Sequence, residues 1–133
     1  MKLSARGEYA CLAMIDLAKH FGGGFIRISD ISRRMSIPSK FLEQILLTLN
    51  RAGYLVSKRG SRGGYKLVKN PCDISVAEIV RLFDGRLAPV GSVSRFFFSH
   101  TPVEQCRELL LFFKEIRDVV AYRLENTSFG DLL

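Results

Sequence analysis

Apolar residues recur along this chain first at helical and later at strand spacing. Between Leu3 and Phe21, the residues Tyr9, Leu12, Ala13, Met14, Ile15, Leu17, Ala18 and Phe21 approximate the period of about 3.6 that marks an amphipathic helix. Ser4 can cap its start, and Gly22-Gly23-Gly24 ends it. Phe25 to Ile28 reads as a short strand or a packed lead-in. Ser29 then offers an N-cap for a second helix, Asp30 to Met35, and Ser36-Ile37-Pro38 is a turn. With Pro38 at its first position, a third helix runs to about Arg51, with Phe41, Leu42, Ile45, Leu46 and Leu49 facing inward. Ala52-Gly53 stops it. Tyr54-Leu55-Val56 and Tyr65-Lys66-Leu67-Val68 are strand-like runs around a glycine-rich tip, which predicts a hairpin.

After the Asn70-Pro71 break, Ser75 and Glu78 have capping-box spacing ahead of Val76, Ile79, Val80, Leu82 and Phe83, a fourth helix. Asp84 to Ser99 is irregular and contains Phe96-Phe97-Phe98. Thr101-Pro102-Val103-Glu104 starts a last helix expected to run from Pro102 to Glu125. Its run Leu109 to Phe113 is apolar on every face, so packing on one side cannot bury it. A second copy of the helix is the economical partner, with Cys106, Leu109, Leu110, Phe112, Phe113, Ile116 and Val120 as expected dimer-interface residues. The predicted fold is mainly α with a small β-hairpin. Residues 1–72 form a winged helix-turn-helix, and residues 73–133 a dimerisation region carrying the long C-terminal helix.

Charge sharpens this picture. The net formal charge is +7, and its distribution is uneven. Residues 1–70 hold 13 Lys/Arg against 4 Asp/Glu, whereas residues 71–133 hold 7 against 9. The excess positive charge therefore sits with the helix-turn-helix, as a polyanionic partner would require. The cysteines Cys11, Cys72 and Cys106 are far apart and odd in number, so neither a disulfide framework nor a zinc-knuckle spacing is present. A reducing, cytoplasmic setting is expected. Lys2, Arg6, Glu8 and Asp16 interrupt the apolar N-terminal residues, which excludes a signal peptide, and no apolar run is long enough to span a membrane.

In helix-turn-helix docking the first residues of the second helix reach base edges, here Ser39, Lys40, Glu43 and Gln44. Gln suits adenine, Glu can accept from cytosine, and Lys can reach guanine or phosphate. The wing tip, Lys58, Arg59, Gly60, Ser61, Arg62, Gly63 and Gly64, combines cations with glycines that permit close approach to a backbone or a narrow groove. Lys2, Arg6, Arg33, Arg34 and Arg51 are candidate phosphate contacts, which position without specifying. No catalytic constellation stands out: His20 and His100 are far apart in the chain, and neither a Walker pattern nor a nucleophile elbow occurs. The chain is not expected to be an enzyme.

The start MKLSARGEYA, the segment SIPSKFLEQIL, the wing RGSRGGYKL, the segment LAPV and the ending RLENTSFGDLL together resemble the iron–sulfur cluster regulator (IscR) type of bacterial transcription factor, the Rrf2 family. The resemblance covers nearly the whole chain. It implies a homodimer that binds palindromic double-stranded DNA through the winged helix, with the long C-terminal helix crossing to the partner subunit. Many such proteins sense redox state or iron through a cluster held by three cysteines between the fourth and last helices. This chain departs from that pattern. Cys106 resembles the last ligand, while Ser92, Ser94 and His100 stand near the other two positions. Iron–sulfur clusters favour soft thiolates, so no cofactor is expected; Glu8, His100 and Cys106 are the residues left to hold a cluster. The reading is a cluster-free dimeric repressor. A redox- or iron-sensing regulator with unusual ligands is the alternative, and a dimeric interaction or RNA-binding module is the second.

Overall fold

The computed structural model describes residues 2–133. Helix α1 spans Ala5–Lys19. The Ser4 hydroxyl accepts from the Gly7 amide at 2.9 Å and caps it. Ser4 itself is held from afar: its amide donates to Asp84 Oδ2 at 2.9 Å, and its hydroxyl donates to Asp84 Oδ1. Ala10, Ala13, Met14 and Leu17 supply its buried face.

Helix α2, Ile28–Met35, begins earlier than the Ser29 cap suggests. Arg27 is the cap residue, and it makes no side-chain capping bond. Ser36 ends α2 in the left-handed region at φ 53, and Ser32 Oγ donates to the Ile37 carbonyl at 2.6 Å to close the turn. Helix α3, Ser39–Arg51, buries Leu42, Ile45, Leu46 and Leu49. Phe41, expected to face inward, is instead 46% exposed and rests against Tyr9 with 5.5 Å between ring centroids. Strands β1 (Leu55–Lys58) and β2 (Gly64–Leu67) pair antiparallel from Leu55↔Leu67 to Lys58↔Gly64.

Helix α4, Val76–Asp84, has the full capping box: the Ser75 amide donates to Glu78 Oε2 at 2.7 Å, and the Glu78 amide donates to Ser75 Oγ at 3.2 Å. The expected continuous helix from Pro102 is broken. Pro102–Gln105 is one 3-10 turn, Cys106 is extended at φ −123 and ψ 108, and helix α5 spans Arg107–Glu125. The Thr101/Glu104 box is formed, but it closes only that single turn. Cys106 then serves as the N-cap of α5, its carbonyl accepting from the Leu110 amide at 2.9 Å. The cysteine is therefore exposed, not set in an apolar helix face as its spacing suggested.

The chain end folds back on the start of α4. The Phe129 amide donates to the Ile74 carbonyl at 3.0 Å, and the Val76 amide to the Thr127 carbonyl at 2.8 Å. Phe129 is 1% exposed and joins the main core with Met14, Leu17, Ile31, Leu46 and Ile74. A smaller cluster of Ala77, Val80 and Leu87 receives Leu3 and Leu124 at the meeting of α4 and α5. Most of α5 lies outside either core: Ala121 is its one fully buried residue. Among the described residues, no helix is long and apolar enough to cross a membrane.

Candidate nucleic-acid interface

Burying one face of α3 fixes the opposite one outward. Leu42, Ile45, Leu46 and Leu49 are buried, and Ser39, Lys40, Glu43 and Gln44 are exposed on the other side. Arg51 is exposed at the C-terminal end of α3. On the wing, Lys58, Arg59, Gly60, Ser61 and Arg62 are all exposed. Gly63 is buried, because a Cβ there would lie 2.1 Å from the Lys58 carbonyl. That glycine is demanded by the hairpin's own backbone.

The remaining cations differ in what they touch. Lys2 is exposed. Arg33 is exposed and pairs with Asp30 at 3.0 Å. Arg6 donates to Thr48 Oγ1 at 3.0 Å, and its guanidinium lies 5.2 Å from the Phe83 ring centroid, so it ties α1 to α3 and α4. Arg34 is exposed but paired with a buried carboxylate. Its Nε and a terminal nitrogen donate to the two oxygens of Asp16 at 2.8 and 2.9 Å, and Asp16 is 2% exposed. This bond raises the Arg34 pKa further, and the side chain stays exposed at the surface.

The loop between α4 and α5 uses its own polar groups. Ser92 Oγ and Thr101 Oγ1 are hydrogen-bonded at 2.6 Å, Ser94 Oγ accepts from the Phe97 amide at 3.1 Å, and both serines are buried. Arg86 donates to the Phe97 carbonyl at 3.2 Å and to Ser99 Oγ at 2.9 Å. His100 is exposed, its Nδ1 at 3.1 Å from both Glu104 oxygens, and Cys106 Sγ donates to Glu108 Oε2 at 3.7 Å. Glu8 stands exposed in the first turn of α1. Among the described residues, no three His, Cys, Asp or Glu side chains converge as metal ligands. One thiol, with both serines engaged elsewhere, does not fit a thiolate-held cluster within one chain. Cys11 is half-buried, and burial, then Asp84 and Glu8, push its thiol up to about 11.

Two residues beside the wing carry contacts that periodicity gave no reason to seek. Arg27 donates to the Ser61 carbonyl at the wing tip. The Phe25 ring lies 4.7 Å from Lys66 Nζ and 5.8 Å from Lys58 Nζ. Only the Phe25–Ile28 strand pattern hinted at this, and the structure realises it as an Ile26↔Tyr65 bridge.

This arrangement, a helix-turn-helix followed by a cation-tipped hairpin, is that of a winged-helix regulator of transcription. The comparison with known families narrows it: residues 3–133 match the Rrf2 family, described as an iron-dependent transcriptional regulator, and the chain belongs to that family. It is 34% identical over 132 residues to the HTH-type transcriptional regulator CymR of Bacillus subtilis, covering 99% of this chain and 89% of that one. The solved structure of B. subtilis CymR, described as the global cysteine regulator, superposes with a TM-score of 0.79 at 31% identity, over 99% of this chain and 95% of that one. The IscR of T. potens superposes with a TM-score of 0.70 at 32% identity, over 99% and 85%. These relatives are regulators of transcription, not enzymes.

Proposed function

We propose that this chain is a homodimeric, operator-binding repressor that works without an iron–sulfur cluster. Residues 1–72 read DNA, and residues 73–133 join the two copies. The observation that carries the reading is the outward face of α3, Lys40, Glu43 and Gln44, set beside a wing whose tip presents Arg59 and Arg62 to solvent. Each α3 enters a major groove, and each wing reaches the adjoining minor groove, where arginine is favoured by the negative potential. Two reading heads engage palindromic half-sites about 34–36 Å apart. An effector or partner protein acts by changing that separation across the α5 pairing.

Selection of bound sequences from random duplexes tests the reading and returns the operator with its symmetry. Affinity falls by about a thousandfold or more between 50 and 200 mM salt if some six phosphates are neutralised. Charge reversal at Arg59 and Arg62 abolishes the shift of operator DNA; unchanged retention removes the wing from the interface. Anaerobic reconstitution separates the cluster-free reading from the sensing alternative. Colourless protein that still shifts DNA supports the former, and a visible chromophore with altered affinity supports the latter. Exposed Cys106 favours one further version, a thiol response, read by repeating the selection with a thiol oxidant.

A further inference from the structure

A two-stranded hairpin is marginal by itself, and this one is anchored to the core at its base through Leu55 and Leu67. It has a second attachment close to the tip. Ile26 and Tyr65 exchange two backbone hydrogen bonds, each 2.8 Å, so the segment before α2 acts as a third strand beside β2. That approach requires glycine at position 64: φ is +139, and a Cβ would lie 2.1 Å from the Ile26 carbonyl oxygen. One residue earlier in the segment, the Phe25 ring lies within cation–π reach of the ammonium groups of Lys58 and Lys66, one from each strand. One residue later, Arg27 donates to the Ser61 carbonyl between Arg59 and Arg62. Arg27 is also the residue at which α2 begins.

We infer that Phe25, Ile26 and Arg27 form a mount that fixes the wing relative to the helix-turn-helix, with Arg27 a positioning residue for DNA binding. The inference rests on the proposed DNA-binding reading and adds to it how the wing is aimed. A hairpin hinged only at its base would have to be immobilised when it meets DNA, and that entropy would be drawn from the binding free energy. A tip bonded to the start of α2 is ordered beforehand, so Arg59 and Arg62 are presented at a set distance from α3.

The test is a cycle in the full-length protein. Arg27→Ala is measured in the intact wing and again in an Arg59→Ala/Arg62→Ala background. The readouts are affinity for the selected operator and hydroxyl-radical protection of the flanking minor groove. With the wing intact, Arg27→Ala weakens binding about three- to tenfold, the range expected of a solvent-exposed hydrogen bond, and thins the flanking protection. In the wing-stripped background it has no further effect, because nothing remains to be aimed. Gly64→Ala, which leaves every charge in place, gives the same loss of flanking protection, with folding followed by circular dichroism. An equal loss from Arg27→Ala in both backgrounds overturns the mount, since Arg27 then meets a phosphate directly. No loss in either background also overturns it. Wild-type protein that holds no duplex sinks the DNA-binding reading itself, an outcome distinct from both.

Discussion

The pairing of Arg34 with Asp16 shows how much a single contact alters what a side chain can do. A bidentate bond ties two of its guanidinium nitrogens to a buried carboxylate, whereas its sequence neighbour Arg33 pairs with Asp30 through one nitrogen. Arg34→Ala leaves a carboxylate that is 2% exposed without its cation. The expected cost is about 2–3 kcal/mol, below the figure for a fully buried pair because Arg34 keeps some contact with water. Urea unfolding reads it as a lower midpoint at unchanged slope. Operator affinity of the folded variant stays within about twofold of wild type, where loss of a phosphate contact would also lower the salt slope by about one. The pairing was illegible in the sequence because Asp16 lies on a different helix, 18 residues away. The outward face of α3 was legible, since burial at Leu42, Ile45 and Leu49 dictates it within a single helix. Phe41 was misplaced because its partner, Tyr9, belongs to α1.

Cys11 provides a second residue-scale prediction, this one in pH. Its thiol is raised to about 11 mainly by burial, so the folded state disfavours the thiolate more than the unfolded state does. A group with a raised folded pKa gives its full stabilising effect below the unfolded value and loses it as pH climbs through the folded value. Cys11 therefore supports the fold throughout the neutral range, and that support fades between about 8.5 and about 11. At pH 8, iodoacetamide followed by mass spectrometry labels exposed Cys72 readily and leaves Cys11 unmodified until denaturant is added. Equal labelling rates for the two would contradict the burial of Cys11.

Among whole elements, the capped ends separate what is local from what is not. The Ser75/Glu78 box and the Ser4 cap were readable because each bond spans three residues. The clamp of Asp84 on Ser4 spans 80 residues and left no local trace. It joins the last residue of α4 to the cap of α1, and it works only because position 7 has no side chain: a Cβ there would lie 2.5 Å from Asp84 Oδ2. Gly7→Ala, which by helix propensity alone should stabilise α1, is therefore expected to destabilise by about 1–2 kcal/mol through loss of the capping arrangement. Asp84→Ala in the same background adds little, since the carboxylate has already been displaced. Thermal unfolding of the two single variants and the double variant reads both effects. The break at Cys106 carries the opposite lesson. The capping pattern at Thr101 does mark a helix start, but such a pattern fixes where a helix opens and not how long it runs, and here it closed one turn.

At the scale of the whole molecule, the outstanding feature is a long helix with only one fully buried residue. Ala121 is buried on one side of α5, where Leu124 joins the smaller core cluster and Arg117 donates to the Val93 carbonyl at 3.1 Å. Away from that side lie Leu109, Phe112, Ile116 and Val119, exposed to 41%, 52%, 39% and 69%. Their alternating spacing of three and four residues is that of a coiled-coil seam. The run Leu109 to Phe113 thus divides into Leu110 and Phe113, half-buried, and Leu109, Leu111 and Phe112, left in water. An apolar ridge of this kind is unstable on a lone protomer, and an identical ridge supplies a matching surface. Wild-type protein is accordingly expected to sediment as a dimer, and Ile116→Asp, which puts a charge into the middle of the seam, to sediment as a monomer with its helical signal intact. One reading head without its twin loses the advantage of linked binding, so operator affinity of the variant falls about a hundredfold or more while single half-site affinity is unchanged. Equal losses on the full operator and on the half-site would place the damage in the reading head. Wild-type protein that is monomeric at concentrations saturating the operator would mean that α5 serves some other surface.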